Sequence, residues 1–306
     1  MTKHRRRILF WTLTSLFLLS GIPLIFYSFG YRLDRESVKW RIVRAGGLSL
    51  APTPTTGVRI FVDNTLERET NIFSRELFLQ GLTPRKYRVR LEKDGYHTWE
   101  KTLRVYPAQV VRAEALLVST EKPQKLTHGE YISIQFLNDD EQALILTKPR
   151  RAFDLFSLDT QTTTKLPPAN AVSTATTTYT KTARDFVASK KIKTFAYEPS
   201  RIVWWDDHSI WIKWLDGEAY LPTYADRDES KLITLAETIR NIAFYPNREA
   251  LVVATDTTVD IIELDGRDRH NIFTIFRGKK PHILVSPENE LLFILSEGTL
   301  FSIPLL

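Results

Sequence analysis

The hydrophobic and polar positions change pattern three times along the chain. Residues Ile8 to Phe29 read ILFWTLTSLFLLSGIPLIFYSF without a charge. At ~1.5 Å of rise per residue, such a run predicts a helix of ~33 Å, enough to cross a ~30 Å hydrocarbon core. Residues 30–44 read as a juxtamembrane linker. Over residues 45–118 the pattern becomes an alternation. Val58, Ile60 and Val62 interleave with Arg59, Phe61 and Asp63, and Tyr87, Val89 and Leu91 with Arg88, Arg90 and Glu92. This period of two predicts half-buried strands. Trp99, Leu103 and Val105 share one face of a return strand, and Val111, Ala113, Ala115 and Leu117 oppose Arg112 and Glu114. Turns are expected at Pro52-Thr53-Pro54, Asp63-Asn64 and Gly81 to Pro84. A type I′ turn is expected at Asp94-Gly95, where glycine tolerates positive φ. One apolar and one polar face over several short strands predicts a small antiparallel sandwich.

Residues 119–306 repeat a strand, turn, strand, turn, strand layout. It is clearest in IAFYPNREALVVATDTTVDIIELDG (242–266) and ILVSPENELLFILSEGTLFSIPL (283–305). It recurs in FAYEPSRIVWWDDHSIWIKWLDG (195–217) and more loosely in IQFLNDDEQALILTKPRRAFDLFSLD (134–159). Ala196, Ala243 and Leu284 fall at equivalent places, within the ~40–50-residue period of propeller blades. The runs ALVVA and LLFIL suit blades that bury both faces against their neighbours. The region resembles a WD40-like β-propeller in layout, though it lacks that family's Gly-His and Trp-Asp signatures. Four blades are visible, the lower limit for closure at ~4–8; an open stack or a ring completed by a second copy are the alternatives. Threonine favours strands, so the threonine-rich stretch 160–182 reads as a long edge excursion rather than disorder. The fold class expected is an all-β body, a sandwich and then propeller-like repeats, behind one transmembrane helix.

Two segments, GGLSLAPTPTTGVRIFVDN and GLTPRKYRVRLEKDGYHTWEKTLRV, resemble the PEGA domain family. Its pattern is a proline turn, a Gly-Ala-x-Val-x-(Val/Leu)-Asp-Gly strand and a later Leu-x-Pro-Gly-x-Tyr-x-Val strand with a Gly-Tyr hairpin. Gly47, Pro54, Gly57, Val62, Asp63, Leu82, Pro84, Tyr87, Val89, Gly95 and Tyr96 match it. Thr55-Thr56, Val58, Asn64 and Arg85 depart from it. The resemblance implies a bacterial or archaeal surface sandwich that acts as an interaction or spacer module, without catalytic residues.

Lys3, Arg5, Arg6 and Arg7 precede the apolar run and supply four of the positive charges behind the net +6. The rest of the chain carries only +2, too little for a nucleic-acid footprint. The cluster reads as a topology signal that leaves the N-terminus in the cytoplasm and the body outside the membrane. The length of the run favours a retained anchor over a signal peptide, whose apolar core is ~7–15 residues. Small residues at Ser28 and Gly30 keep cleavage near Gly30 open. The chain has no cysteine, which removes disulfides, thiolate chemistry and a lipid-modified cysteine.

Candidate chemistry is sparse. None of the six histidines (His4, His97, His128, His208, His270, His282) pairs at a metal-ligand spacing. Asp206-Asp207-His208 reads as a polar turn. Phosphate loops and nucleophile elbows are absent. No cofactor or metal is expected, and the chain reads as a non-enzyme. The concentration of aromatic residues is different: Trp204, Trp205, Trp211 and Trp214 are four of seven tryptophans. Trp214 shares a strand face with Ile210 and Ile212 and reads as core. Trp204, Trp205 and Trp211 are the candidate ligand-binding residues, against the plainer reading of blade packing. The function expected is a tethered envelope binding or scaffold protein with an unknown envelope protein or glycan as partner. A carbohydrate- or peptidoglycan-binding protein and a hydrolase with a site in the propeller channel are the alternatives.

Overall fold

A computed structural model of the chain describes residues 3–36, 39–71, 73, 75–137, 140–167, 180–215, 222, 224–225, 228–246 and 249–305. The chain divides into two compact units, Met1–Leu91 with Glu100–Ala115, and Glu92–Trp99 with Leu116–Leu306.

The first unit opens with α1 (Lys3–Ser28). The helix takes in the basic cluster as well as the apolar run. Within Arg5–Ser28 an 18-residue window has a mean hydropathy of 2.0, and none of that window is buried. Residues 30–44 differ from the expected linker: they form an antiparallel hairpin, β1 (Tyr31–Glu36) with β2 (Lys39–Arg44). Alternation at Tyr31, Leu33, Ile42 and Arg44 underlies it, a period too short to stand out beside the charges.

Two sheets follow. One has the order β6 (Leu77–Leu82), β3 (Gly46–Thr53), β9 (Val110–Leu116). The other has the order β5 (Thr65–Glu69), β4 (Arg59–Val62), β7 (Lys86–Glu92), β8 (Trp99–Arg104). The alternating residues lie where the pattern requires: Val58, Ile60, Val89 and Leu91 are fully buried. Lys101 shares the buried face of Trp99 and Leu103 and is itself buried, which the alternation did not signal. The left-handed pair lies at Asp63-Asn64, with φ of 48° and 67°, as a type I′ turn requires. At Asp94-Gly95 only the glycine has positive φ, and Tyr96 N–H bonds Lys93 O at 3.1 Å. The expected type I′ turn is therefore at the earlier hairpin, because β7 and β8 are joined by a wider loop.

Among the described residues the second unit contains four four-stranded antiparallel sheets, three of them meanders of consecutive strands and the fourth completed by a strand from earlier in the chain. Blade 1 is β11 (Ser133–Leu137), β12 (Asp140–Lys148), β13 (Ala152–Ser157) and β14 (Thr162–Leu166). Blade 2 is β15 (Phe195–Glu198), β16 (Arg201–Trp205), β17 (Ser209–Trp214) and β18 (Ser230–Thr234). Blade 3 is β19 (Ile239–Phe244), β20 (Ala250–Thr255), β21 (Thr258–Glu263) and β22 (Ile272–Arg277). Blade 4 is β23 (His282–Ser286), β24 (Leu291–Ser296) and β25 (Thr299–Pro304), completed by β10 (Gln124–His128). Because β10 precedes blade 1 in the chain, this pairing ties the start of the repeat region to its end, a propeller-like closure.

Apolar residues from adjacent blades fill the space between them. Val203, Ile212 and Trp214 pack with Ile242, Leu251 and Val253 across blades 2 and 3. Leu144, Leu146 and Phe156 pack with Phe293, Leu295 and Leu300 across blades 1 and 4. Among the described residues one α-helix interrupts the all-β body: α2 (Lys181–Lys190), whose Ala183, Phe186 and Val187 cover Ile202, Trp204 and Leu215 of blade 2. Of the threonine-rich stretch, Thr162, Thr163 and Thr164 belong to β14 and Thr180 caps α2; residues 168–179 lie outside the described residues.

Candidate functional site

The sequences RIVWW of β16 and SIWIKW of β17 send alternate side chains to opposite faces of blade 2. Val203, Ile210, Ile212 and Trp214 face blade 3, with Trp205 packed against the same cluster. Ile202 and Trp204 face α2. Trp204 and Trp211 are register partners, and opposed residues of an antiparallel pair share a face. Their rings are parallel, 10° apart, with centroids separated by 6.3 Å. Phe186 of α2 meets the Trp204 ring edge-on at 5.3 Å. Lys213 Nζ lies 5.4 Å from the Phe186 ring centroid.

Local rules set where α2 starts and stops. Thr180 Oγ1 accepts a hydrogen bond from Ala183 N–H at 3.3 Å, an N-cap. Lys191 ends the helix in the left-handed conformation, φ 55°. The chain then runs back as Lys191-Ile192-Lys193-Thr194, and Thr194 Oγ1 donates to Trp205 O at 2.7 Å. This return segment forms one wall of a groove of about 670 Å³ whose aromatic lining is Trp204, Trp205 and Trp211.

The groove's charge is mostly positive. Lys190, Lys191, Lys193 and Lys231 line it, with Asp206 and Glu229. Lys190 pairs with Glu229 at 2.7 Å. Lys231 Nζ stands 5.9 Å from the Trp211 ring centroid. Asp206 accepts the backbone N–H groups of His208 at 2.9 Å and Ser209 at 2.7 Å. Those bonds, the one from His208 first, hold its carboxyl below the usual aspartate range. Lys191 and Lys193 are exposed, and among the described residues neither forms an ion pair. The groove thus offers aromatic rings for stacking and ammonium groups for anions.

The three tryptophans proposed from sequence all line this groove, although Trp205 also packs towards blade 3. Trp214 is buried at 6% exposure. The reading missed α2 and the lysines. Their signals were present: Ala183, Phe186 and Val187 at helical spacing, and the run Lys190-Lys191-Ile192-Lys193. Of the topology residues, Arg5, Arg6 and Arg7 are exposed within α1, while the Lys3 side chain lies outside the described residues.

A second cavity of about 420 Å³ is lined by Trp214, Tyr224, Arg267 and His270. Tyr224, Arg267 and His270 each bond to a residue outside that lining, His270 Nδ1 lying 2.8 Å from Glu263 O. The Tyr224 hydroxyl donates to Glu249, and burial, then the Glu249 charge, pushes its pKa up. Arg267 forks onto Asp265 at 2.7–3.1 Å. Among the described residues no three His, Cys, Asp or Glu side chains are placed to hold a metal ion. His208 Nδ1 lies 3.2 Å from Glu237 O.

No protein-family model matches the chain, and no curated protein does; the PEGA resemblance therefore stands on the residues quoted for it. Among solved structures, the chain is similar to the Cps50 (Swd1) β-propeller domain of Myceliophteria thermophila, at 10% identity and a TM-score of 0.26. That match covers 56% of this chain and 51% of the other. PorZ, a surface component of the type-IX secretion system of Porphyromonas gingivalis, matches at 11% identity and a TM-score of 0.27, over 73% of this chain and 32% of PorZ. An auxiliary nutrient binding protein from Bacteroides thetaiotaomicron matches at 9% identity and a TM-score of 0.25, over 80% and 78%. At such TM-scores the fold is read from the sheet topology itself, and nothing about function follows.

Proposed function

We propose that the protein is a non-catalytic binding protein of the cell envelope. In this reading α1 is retained as a single-pass anchor, with Lys3, Arg5, Arg6 and Arg7 in the cytoplasm and both β units outside. The PEGA-like sandwich is a spacer, and the propeller-like unit presents the ligand groove. An envelope glycan is the ligand. The observation that carries this is the open groove in which Trp204 stacks on Trp211 beside exposed Lys191 and Lys193. Aromatic rings stack on the C–H faces of sugars, and lysines meet carboxylates or phosphates on the same polymer. A protein built only for packing gains nothing from holding several ammonium groups at an aromatic cleft, since surface charges there contribute little stability.

The test is retention of the detergent-solubilised full chain on immobilised acidic and neutral envelope glycans. Retention on acidic glycans is expected for the wild type, with loss in Trp211→Ala and in the double variant Lys191→Glu/Lys193→Glu. Equal retention by all three proteins, or none by any, would overturn the reading.

A further inference from the structure

We infer that the β1–β2 hairpin is a lipid-facing element that lies in the headgroup layer beside α1. This rests on the reading of α1 as a retained anchor.

The hairpin has two unlike faces. Opposed residues share a face, so the register sets Tyr31 with Arg44 and Leu33 with Ile42 on one side, and Arg32 with Val43 on the other. The Arg32 side is turned inward. Arg32 Nη1 donates to Tyr27 O at 2.9 Å and to Tyr31 O at 3.0 Å. Its guanidinium lies 3.6 Å from the centroid of the Tyr27 ring. A Cβ placed on Gly81 of β6 would meet Arg32 Nη2 at 3.1 Å, so the arginine packs between the helix end and the sandwich edge. The opposite side is open: Leu33 and Ile42 are each 66% exposed.

The base of the hairpin is fixed to the helix. Gly30 turns the chain with φ 82°, Ala45 N–H bonds Gly30 O at 2.7 Å, and Tyr31 stands edge-on to Phe26 at 5.6 Å. Leu33 follows Ser28 so closely that, at ~3.3 Å per residue, it stays within ~17 Å of the helix end. An isolated two-stranded hairpin leaves backbone groups unpaired along both edges, which excludes it from the hydrocarbon core. The interfacial layer accepts such a backbone. It also accommodates exposed aliphatic side chains, a ring such as that of Tyr31, and an arginine such as Arg44 whose stem lies along lipid while its head stays wet. The open face carries that mixture, and it is continuous with the segment that enters the bilayer.

The absence of cysteine makes a direct test possible. Spin labels are placed singly at Leu33→Cys, Ile42→Cys, Leu18→Cys and Glu67→Cys in the full chain, reconstituted in nanodiscs containing anionic phospholipid. Collision with oxygen and with a water-soluble nickel chelate is compared. The label at 18 should be relaxed several-fold more by oxygen than by nickel, the label at 67 the reverse, and the labels at 33 and 42 should give a ratio between those two, as the headgroup layer does. If 33 and 42 behave like 67 while 18 remains lipid-embedded, the hairpin faces water and the inference fails with the anchor intact. If 33 and 42 are shielded from both agents, another protein surface covers them and the inference again fails. If 18 itself is relaxed by nickel, the anchor reading fails and the inference with it.

Discussion

Blades 2 and 3 share a strand order and a meander, yet their faces are made from different residues. In blade 3, β20 and β21 read ALVVAT and TVDIIE and are buried from end to end. Blade 2 keeps that character only on the side towards blade 3, through Val203, Ile210 and Ile212. On its other side a single ten-residue helix replaces a sheet as the cover. A helix is narrower than a sheet, so the strand ends beyond it stay accessible. Trp204 packs against Phe186 of the helix and stacks on its register partner Trp211, and the groove opens along these two rings. The blade face is closed where another blade covers it and holds a groove where the cover is a helix.

Substitutions on the two faces separate these roles, the largest effect coming first. Trp214→Ala removes a buried ring from the side towards blade 3 and should cost about 3–5 kcal/mol. Leu251→Ala in β20 should cost about 2–5 kcal/mol, because a fully buried side chain leaves a cavity. Urea unfolding of the full chain in detergent checks both. Trp211→Ala should cost only about 1–2 kcal/mol, from lost stacking and partial burial, while abolishing glycan retention. If Trp211→Ala unfolds the protein as readily as Trp214→Ala, the faces are equivalent and the distinction fails.

Smaller effects sharpen the comparison. Thr180→Ala removes the cap of α2 and should cost about 1 kcal/mol, with weaker glycan retention because the lysine wall follows this helix. Proteolysis rates within α2 would report the loosening. Acid should act through two carboxylates. Asp206 is held low by backbone N–H groups in the β16–β17 turn. Glu237 is held low by the hydroxyls of Thr255 and Thr257, at 2.6 Å each. A group whose folded pKa is depressed contributes its full stability above its unfolded value, here 3.8 and 4.5. That contribution fades as pH falls through the folded value. The loss in thermal midpoint between pH 7 and about pH 3 should therefore shrink slightly in Asp206→Asn and in Glu237→Gln. An unchanged loss in both variants would contradict the assignment.

Much of this fold was legible in the chain. Period-two alternation located Val58–Val62 and Tyr87–Leu91, and the repeated layout located three strands of each blade, since both follow from burial of one or two faces. The pairing of β10 with β25 was not legible, because it joins residues far apart in sequence and Gln124–His128 carries no apolar pattern. The β1–β2 hairpin was masked by its own charges, which read as a linker. For the groove, the tryptophans were visible by composition and their faces by parity. The lysine wall was not, because its position depends on where α2 stops.

In the proposed reading the Trp204–Trp211 groove binds ligand and is not merely packed. Calorimetric titration of an acidic polysaccharide into the wild type and Trp211→Ala, at low and high salt, tests it most directly. The wild type should show saturable binding that weakens as salt screens the lysines, and the variant should remain folded without binding. Equal heats from the two proteins would contradict it.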